Sequence, residues 1–532
     1  MSDTARPNIV LILNDDMGYS DLGCYGGEVS TPNLDALAAG GLRYTQFYNT
    51  ARCCPSRASL LTGLYPHQAD VGHMTNDDGI DGYLGDLSLH SATIAEALKS
   101  GGYATYMSGK WHVTRHLEGP DHNWPCQRGF DDFYGILTGA ANYFQPRTLM
   151  RNNEPIEPEG DDYFLTDAIG NEAIRQVREH AAHKADQPFF QYVAFTAPHW
   201  PLHAHDEDIE RYEGRFDAGW DKLRAERCAR MVELGIADPK WELTDRDPRV
   251  CAWDLAGFKE WQARRMEVYA AQIDRMDQNI GRLVEALRET NQLDNTLILF
   301  LADNGGCAEE LGPNIGPWAT GRESIATTHT RDGWEIRFGN IPAVLPGDED
   351  SYQSCGIPWA NVQNTPFRLY KHWVHEGGIA TPLIAHWPAG ITARGELRRQ
   401  PAQLPDIMAT CVDVAGVTFP SERQGREVQP HEGFSIAPTF ADHPHGREVL
   451  YWEHEGNKAI RRGNWKLVCK HPGSWELYDM ETDRTEMQDL AQQHPELVAE
   501  LAARYDQWAQ RCGVLPWAQL QAQRKKKKAE SK

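Results

Sequence analysis

Asn8-Ile9-Val10-Leu11-Ile12-Leu13, running into Asn14-Asp15-Asp16, is the stretch on which the rest of the chain is read. Ile9–Leu13 is an unbroken apolar run of strand length. It lacks the polar alternation of a half-exposed strand, so it suits a strand covered on both faces. The same pattern recurs. Tyr103–Ser108 ends in Gly109-Lys110-Trp111-His112, Phe189–Phe195 ends at Ala197-Pro198-His199, and Thr296–Leu301 runs into Ala302-Asp303-Asn304. Helical stretches lie between these strands. Thr31-Pro32 opens one, with Thr as N-cap and Pro at the first position, and Gly40-Gly41 closes it. Pro55–Thr62, Ser91–Ser100 and Thr166–His180 read as further helices, and Tyr269, Ile273, Met276, Ile280, Leu283, Val284 and Leu287 mark a long one by their three- and four-residue spacing. This alternation predicts an α/β fold with a large, mostly parallel, doubly wound sheet flanked by helices.

Residues 305–362 interrupt the rhythm. They are rich in Gly, Pro and Asn and have no clear period, which reads as a functional loop or lid. From about residue 444 short strand candidates follow one another: Glu448–Trp452, Lys458–Arg461, Trp465–Lys470 and Trp475–Tyr478, and then a helix at Pro495–Gln510. The expected organisation is a catalytic domain over residues 1–443 and a small C-terminal α+β domain over 444–532, an antiparallel sheet plus helix. Its basic run, Arg524 with Lys525–Lys528, reads as a solvated tail.

The 532-residue chain, 41% hydrophobic and 24% charged, is rich enough in apolar residues to exclude a disordered or fibrous protein. Acidic residues outnumber basic ones by 76 to 53, and the net charge of −23 speaks against nucleic acid and anionic membranes as partners. Taken alone, it also speaks against an anionic substrate. No run approaches the ~18 apolar residues of a membrane span. Met1–Pro7 is polar, with no apolar leader before the first strand, so the expected location is cytoplasmic, or periplasmic or secreted if a leader has been removed. The 11 cysteines include no CxxC, so a disulfide framework or cysteine zinc site is not expected.

Ligands of open α/β sheets bind beyond the carboxyl ends of the strands. Here four strand ends deliver Asp15-Asp16, Lys110 with His112, His199, and Asp303-Asn304 to one edge. Asp15, Asp16, Asp303 and Asn304 are an oxygen-only set of the kind that Ca²⁺ or Mg²⁺ prefers; each pair alone reads equally as a turn or helix cap. Cys53-Cys54-Pro55-Ser56-Arg57 places a thiol just ahead of a helix, where free backbone N–H groups favour an anion and Arg57 lies one turn on. That suggests a nucleophile facing an anionic group; a buried cysteine before an ordinary helix is the plainer alternative.

Cys53-x-Pro55-Ser56-Arg57-x-x-x-Leu61-Thr62-Gly63 resembles the first signature of the type I sulfatases, a formylglycine-dependent family of the alkaline phosphatase superfamily. Gly102-Tyr103-x-Thr105-x-x-x-Gly109-Lys110-x-His112 resembles the second. Asn14-Asp15-Asp16, Ala197-Pro198-His199, Asp303-Asn304-Gly305-Gly306 and Lys371 ahead of Glu376-Gly377-Gly378 fit in the family's order, over about residues 7–480, and the likeness is strongest to bacterial arylsulfatases. The resemblance implies an alkaline-phosphatase-like fold and a sulfuric ester hydrolase. Cys53 would be converted to Cα-formylglycine (3-oxoalanine) by a formylglycine-generating or anaerobic sulfatase-maturing enzyme. Its hydrate would attack a small sulfate ester and form a covalent sulfo-enzyme. Asp15, Asp16, Asp303 and Asn304, with residue 53, would bind one divalent cation, Ca²⁺. Arg57 and Lys110 would hold the hydrate, His112 would be the base that expels sulfate, and His199 and Lys371 would contact the sulfate and help protonate the leaving oxygen.

Two other readings compete: a phosphonate or phosphate mono- or diester hydrolase of the same superfamily, and a catalytically silent sulfatase-like binding protein. Trp200, Pro201, Leu202 and His203, and the aromatics Trp318, Trp334, Trp359 and Phe367 around the long loop, are candidates for lining the substrate pocket, with packing as the alternative. His372 and His375 flank Lys371 as candidates for orienting it.

Overall fold

The computed structural model describes residues 6–312 and 325–530. The strand Asn8–Asn14 lies deep inside an 11-stranded sheet, and Ile9–Leu13 have no exposed surface. Alternate side chains of this strand enter different cores. Val10 and Ile12 pack with the helices Pro32–Ala39, Leu165–His183 and Lys259–Glu289, whereas Ile9, Leu11 and Leu13 pack with Cys53–Thr62, Ile94–Ser100 and Pro405–Ala415. Burial on both faces is why the run carries no polar alternation, and each such side chain contributes at most about 3 kcal/mol.

The strand's neighbours are Phe189–Ala194 and Thr296–Ala302, both parallel, with Leu13 opposite Ala194 on one side and Leu301 on the other. Ala104–Lys110 continues the parallel set beside Phe189–Ala194, and Asp132–Ile136 follows it. Parallel strands end at one edge, so the groups that follow them collect there. Beyond Thr296–Ala302 the sheet becomes mixed. Ala380–His386 runs antiparallel to it, and Leu42–Tyr48 runs antiparallel to Ala380–His386. Two reversals return Leu42–Tyr48 to the direction of the central strands, so it too ends at the functional edge, just ahead of Cys53.

Local signals set most helix ends. Thr93 and Glu96 form a reciprocal capping box on Ile94–Ser100. Thr31 occupies the cap position of Pro32–Ala39, but its hydroxyl accepts from the Gly23 N–H and donates to Asp35 instead of capping. The described part of 305–362 holds short strands at Arg337–Phe338 and Ser351–Tyr352 and a helix at Gly356–Gln363.

Near the C-terminus, Val449–His454, Asn457–Arg462, Trp465–Cys469 and Glu476–Asp479 form a four-stranded antiparallel sheet in chain order. The helix Pro495–Cys512 packs Leu501, Tyr505 and Trp508 against Ile460, Leu467 and Leu477. The basic tail is not simply solvated. Trp517–Glu530 is a helix, and Arg524 reaches Asp78 at 2.7 Å while Lys527 donates to the Asp77 carbonyl at 2.6 Å. The run looked like a tail because nothing in its composition reveals an acidic partner some 450 residues earlier. All 11 cysteines are free thiols. Among the described residues no helix is long and apolar enough to cross a membrane.

Candidate active site

Cys53 opens the helix Cys53–Thr62, two residues before the position at which Pro55 suggests a start. It therefore sits in the first turn, where backbone N–H groups lack helical acceptors. The thiol is 2% exposed. A hydrogen bond from Cys54 draws its pKa well below the usual thiol value, against the effect of burial, and Lys110, His112 and Lys371 draw it down further. Cys54 moves the other way, pushed up by burial and by its neighbour, and its Sγ lies 3.3 Å from Met74 Sδ.

The oxygen donors lie beside it. Asn14 and Ala302 are partners in adjacent parallel strands, so Asp15-Asp16 and Asp303-Asn304 leave the sheet side by side. Asp16 has a left-handed φ of 68°, which turns the chain at the strand end. Its backbone N–H donates to Asp303 Oδ1 at 3.3 Å and its Oδ1 accepts from Asn304 Nδ2 at 2.7 Å. Arg57 donates from Nε (3.1 Å) and Nη2 (2.8 Å) to Asp303 Oδ2, and from Nη1 to the Lys110 carbonyl at 2.9 Å. Lys110 Nζ pairs with Asp15 Oδ2. Lys371 Nζ pairs with Asp16 at 2.8 Å and approaches His199 Nε2 at 3.4 Å. The resemblance places Arg57 on the nucleophile; in this structure its guanidinium is spent on Asp303 and on a backbone carbonyl.

Burial works to raise the Asp15 pKa, yet Lys110, His199 and Arg57 hold it at about 2. Asp303 goes the other way, raised by burial and by the Asp15 charge against Arg57 and Lys110. His112 sits at the pocket wall with a φ of 53°; burial lowers its pKa to about 4, so at neutral pH the imidazole is uncharged and offers a lone pair. Burial lowers His199 too, while its Nδ1–H is fixed on the Trp200 carbonyl at 2.7 Å. Lys371 keeps its proton: burial opposes the charge, but Asp16 and other nearby acidic groups raise its pKa well above the usual value.

The donor set fits a hard cation. Asp15 Oδ1 and Asn304 Oδ1 are buried oxygens without a hydrogen-bond donor, and Asp15, Asp16 and His199 place ligand atoms within 4.8 Å of one another. Three carboxylates in full burial leave anionic oxygens that the three adjacent cations do not all satisfy.

Cys53, His112, His199 and Lys371 open onto one cavity of ≈ 530 Å³. Its wall also holds residues absent from the sequence reading: Arg52, His73, Glu309 and Glu455. Glu309 accepts from Trp200 Nε1 at 2.8 Å and from Arg52 Nη1 at 2.9 Å. None lies in a motif or at a strand end of the parallel set, so only the folded chain reveals them. Of the aromatic candidates, Trp200 lines this cavity. Trp359 and Phe367 are core residues at 0% and 1% exposure, and Leu202 and His203 are buried too. Trp334 is 71% exposed and borders a different cavity, while Trp318 lies outside the described residues. His372 and His375 turn away from Lys371 toward Glu455 (3.1 Å) and Glu476 (3.3 Å).

A pocket that presents Lys371, Arg52 and imidazoles above buried oxygen donors suited to a cation, at the carboxyl edge of a doubly wound sheet, fits a hydrolase of anionic esters. The chain belongs to the sulfatase family, and the protein is a sulfatase. The sequence model of the Sulfatase family matches residues 7–417, and that of the N-sulphoglucosamine sulphohydrolase C-terminal region matches 367–511. An uncharacterized sulfatase of Schizosaccharomyces pombe is 32% identical over 94% of this chain and 93% of its own length. The arylsulfatase of Klebsiella aerogenes is also 32% identical, over 81% of this chain and 91% of its own. Among solved structures, Ps i-CgsB in complex with k-i-k-neocarrahexaose superposes with a TM-score of 0.66 at 25% identity, covering 95% of this chain and 93% of that one. The alkaline-phosphatase-like fold expected from the sequence is the fold observed.

Proposed function

We propose that this sulfatase cleaves a sulfate monoester to sulfate and a phenol or alcohol, with Cys53 converted to Cα-formylglycine and Ca²⁺ held by Asp15, Asp16, Asp303, Asn304 and the modified residue. One observation carries the reading. Cys53 Sγ, which stands where the oxygen of the modified residue would lie, sits within 4.8 Å of a His112 ring nitrogen in a cavity that Lys371 also lines, beside the oxygen-donor cluster and under the charge of buried Lys110. The cation, when bound, polarises sulfate oxygens and favours an ionised nucleophile. Formylglycine hydrate supplies one hydroxyl to attack sulfur and a second whose deprotonation releases sulfate by C–O cleavage.

The chain's own residues do the rest. Neutral His112 takes the proton from that second hydroxyl. Lys110 and Lys371 face the nucleophile with positive charge and offset the charge that spreads over the sulfate oxygens, and Arg57 acts through Asp303, which it holds in place. Lys371, charged at neutral pH, hydrogen-bonds the leaving oxygen and passes its proton to it as the S–O bond breaks, and His199 orients Lys371 through Nε2. A cavity of ≈ 530 Å³ with Trp200 on its wall has room for a ligand of drug-like size, an aryl sulfate included, in keeping with the arylsulfatase name of the Klebsiella relative. Cys53 is too buried in the folded chain for an enzyme to reach, so maturation by a formylglycine-generating or anaerobic maturing enzyme precedes folding.

The mass of the peptide that contains residue 53 tests the modification: the aldehyde or its hydrate is expected, and an active preparation with an unmodified thiol would overturn the mechanism. Rates on the sulfate and phosphonate esters of one phenol test the substrate class. Faster phosphonate turnover would replace the sulfate ester with the phosphonate reading.

A further inference from the structure

The turn that joins the first two strands of the C-terminal sheet carries His454, Glu455 and Gly456, and Glu455 forms part of the wall of the active-site cavity. His372 meets them there, one residue beyond Lys371. Its Nδ1 is 3.1 Å from Glu455 Oε2, and His454 Nε2 is 3.9 Å from Glu455 Oε1. The three residues place one ligand atom each within 4.8 Å of one another. The rings of His372 and His454 stand 5.6 Å apart and nearly perpendicular, so both nitrogen edges converge on the carboxylate without stacking face to face.

His454 is the informative member. It is 1% exposed, and neither ring nitrogen has a hydrogen-bond partner. A buried imidazole with both polar atoms unmet is costly, and hydrogen bonding between its neighbours does not relieve it. A cation between His454, His372 and Glu455 would. The carboxylate is also held as metal-binding carboxylates are. His73 Nε2 bonds Glu455 Oε1 at 2.6 Å, and Arg524 of the C-terminal helix bonds His73 Nδ1 at 2.5 Å while the Trp517 ring stacks on His73.

We propose that His372, His454 and Glu455 form a second metal site, separate from the oxygen-only cluster, that takes a borderline transition ion such as Zn²⁺. Two imidazoles and one carboxylate suit such an ion and suit Ca²⁺ poorly. Three protein donors leave a coordination position, and Glu455 borders the cavity, so a water or a substrate oxygen completes the shell. His73, Arg524 and Trp517 position Glu455 and are not ligands.

Co²⁺ titration of the full-length protein in millimolar Ca²⁺ tests this, with the visible absorption of the bound ion and equilibrium dialysis as readouts. Saturable binding of one equivalent is expected, with competition by Zn²⁺. Asp15→Asn and Cys53→Ala should leave the binding intact, which separates this site from the two other groups of ligand-capable residues found among the described residues. His372→Asn and Glu455→Gln should each weaken it by more than about tenfold, and Arg524→Ala by about tenfold through Glu455. Because His454→Gln removes a buried ring, the more accessible Glu455→Gln keeps the test decisive if that variant fails to fold. The proposal fails if no saturable Co²⁺ binding appears, if binding survives both His372→Asn and Glu455→Gln, or if Asp15→Asn or Cys53→Ala abolishes it.

Discussion

Two buried ion clusters in this protein are both built from carboxylates facing Lys and Arg and end up with different roles. At the functional edge, Asp15, Asp16 and Asp303 face Arg57, Lys110 and Lys371, with side chains 0–3% exposed. Between the main sheet and the C-terminal sheet, Glu376 and Glu486 face Lys466 and Arg484, with side chains 0–1% exposed. In the second cluster both Glu376 oxygens have donors: Lys466 at 2.9 Å on one, Arg484 at 2.8 Å and the Tyr48 hydroxyl at 3.0 Å on the other. Phe367 covers the Arg484 guanidinium at 4.9 Å. Glu486 Oε1 makes no hydrogen bond, but the Lys466 ammonium stands 2.8 Å from it; in the first cluster Asp15 Oδ1 and Asn304 Oδ1 are left without donors, and a cavity lies alongside. Burial and charge pairing therefore do not mark a site. Oxygens without donors and an adjoining cavity do.

Substitution should separate the two clusters sharply. Cys53→Ala, beside the first, should lower turnover by at least about a thousandfold with little change in the urea midpoint, because it removes the nucleophile and only one buried sulfur. Wild-type turnover in that variant would sink the assignment of the nucleophile. Lys466→Met, in the second, should do the reverse. Stripping one partner from a buried ion pair costs about 3–5 kcal/mol, read from urea unfolding, while kcat/KM of the folded fraction stays close to wild type. Chelation is the next smaller effect. Dialysis against a chelator should abolish turnover and lower stability by roughly 2–3 kcal/mol relative to Ca²⁺ at about a hundredfold over its Kd. Asp15→Asn should make stability indifferent to Ca²⁺, and Lys466→Met should leave the response intact.

The sequence is informative about the first cluster and nearly silent about the pairing in the second, for a physical reason. Ligands at the end of parallel strands are announced by the apolar runs before them, so Asp15, Lys110, His199 and Asp303 are visible one by one, and the family resemblance joins them to Cys53 and Lys371. The central parallel strands are legible in the same way. Leu42–Tyr48 is not, because Arg43, Thr45 and Gln46 break its apolar run, and Ala380–His386 carries Pro382 where its pairing register shifts. Lys466 and Arg484 come from separated segments with no period or motif, and Glu376, although it stands in the Glu376-Gly377-Gly378 element of the resemblance, shows no ionic partner there; His73 and Glu455 are equally unannounced, and His372 stands out only as a neighbour of Lys371. Contacts made only by tertiary packing leave no local trace, which is also why Trp359 looks like a pocket residue and is a core one.

The smallest effect is one of pH, and it sharpens the contrast from the structural side. Burial pushes the Glu376 carboxyl up, but Lys466, Arg484 and Arg461 hold it at about 2, below the 4.5 of an unfolded chain. A folded pKa below the unfolded one means that the unfolded chain takes up the proton first. The contribution is thus complete above about pH 4.5 and is lost as pH falls toward 2. The urea midpoint of the wild type should fall across that window. In Glu376→Gln that part of the fall disappears, since no carboxyl remains to titrate. In Lys466→Met it shrinks, because the carboxyl loses its largest stabilising charge and its folded pKa rises toward the unfolded value. An acid limb of the same slope in all three proteins would show that the cluster is not what ties the C-terminal sheet to the main one.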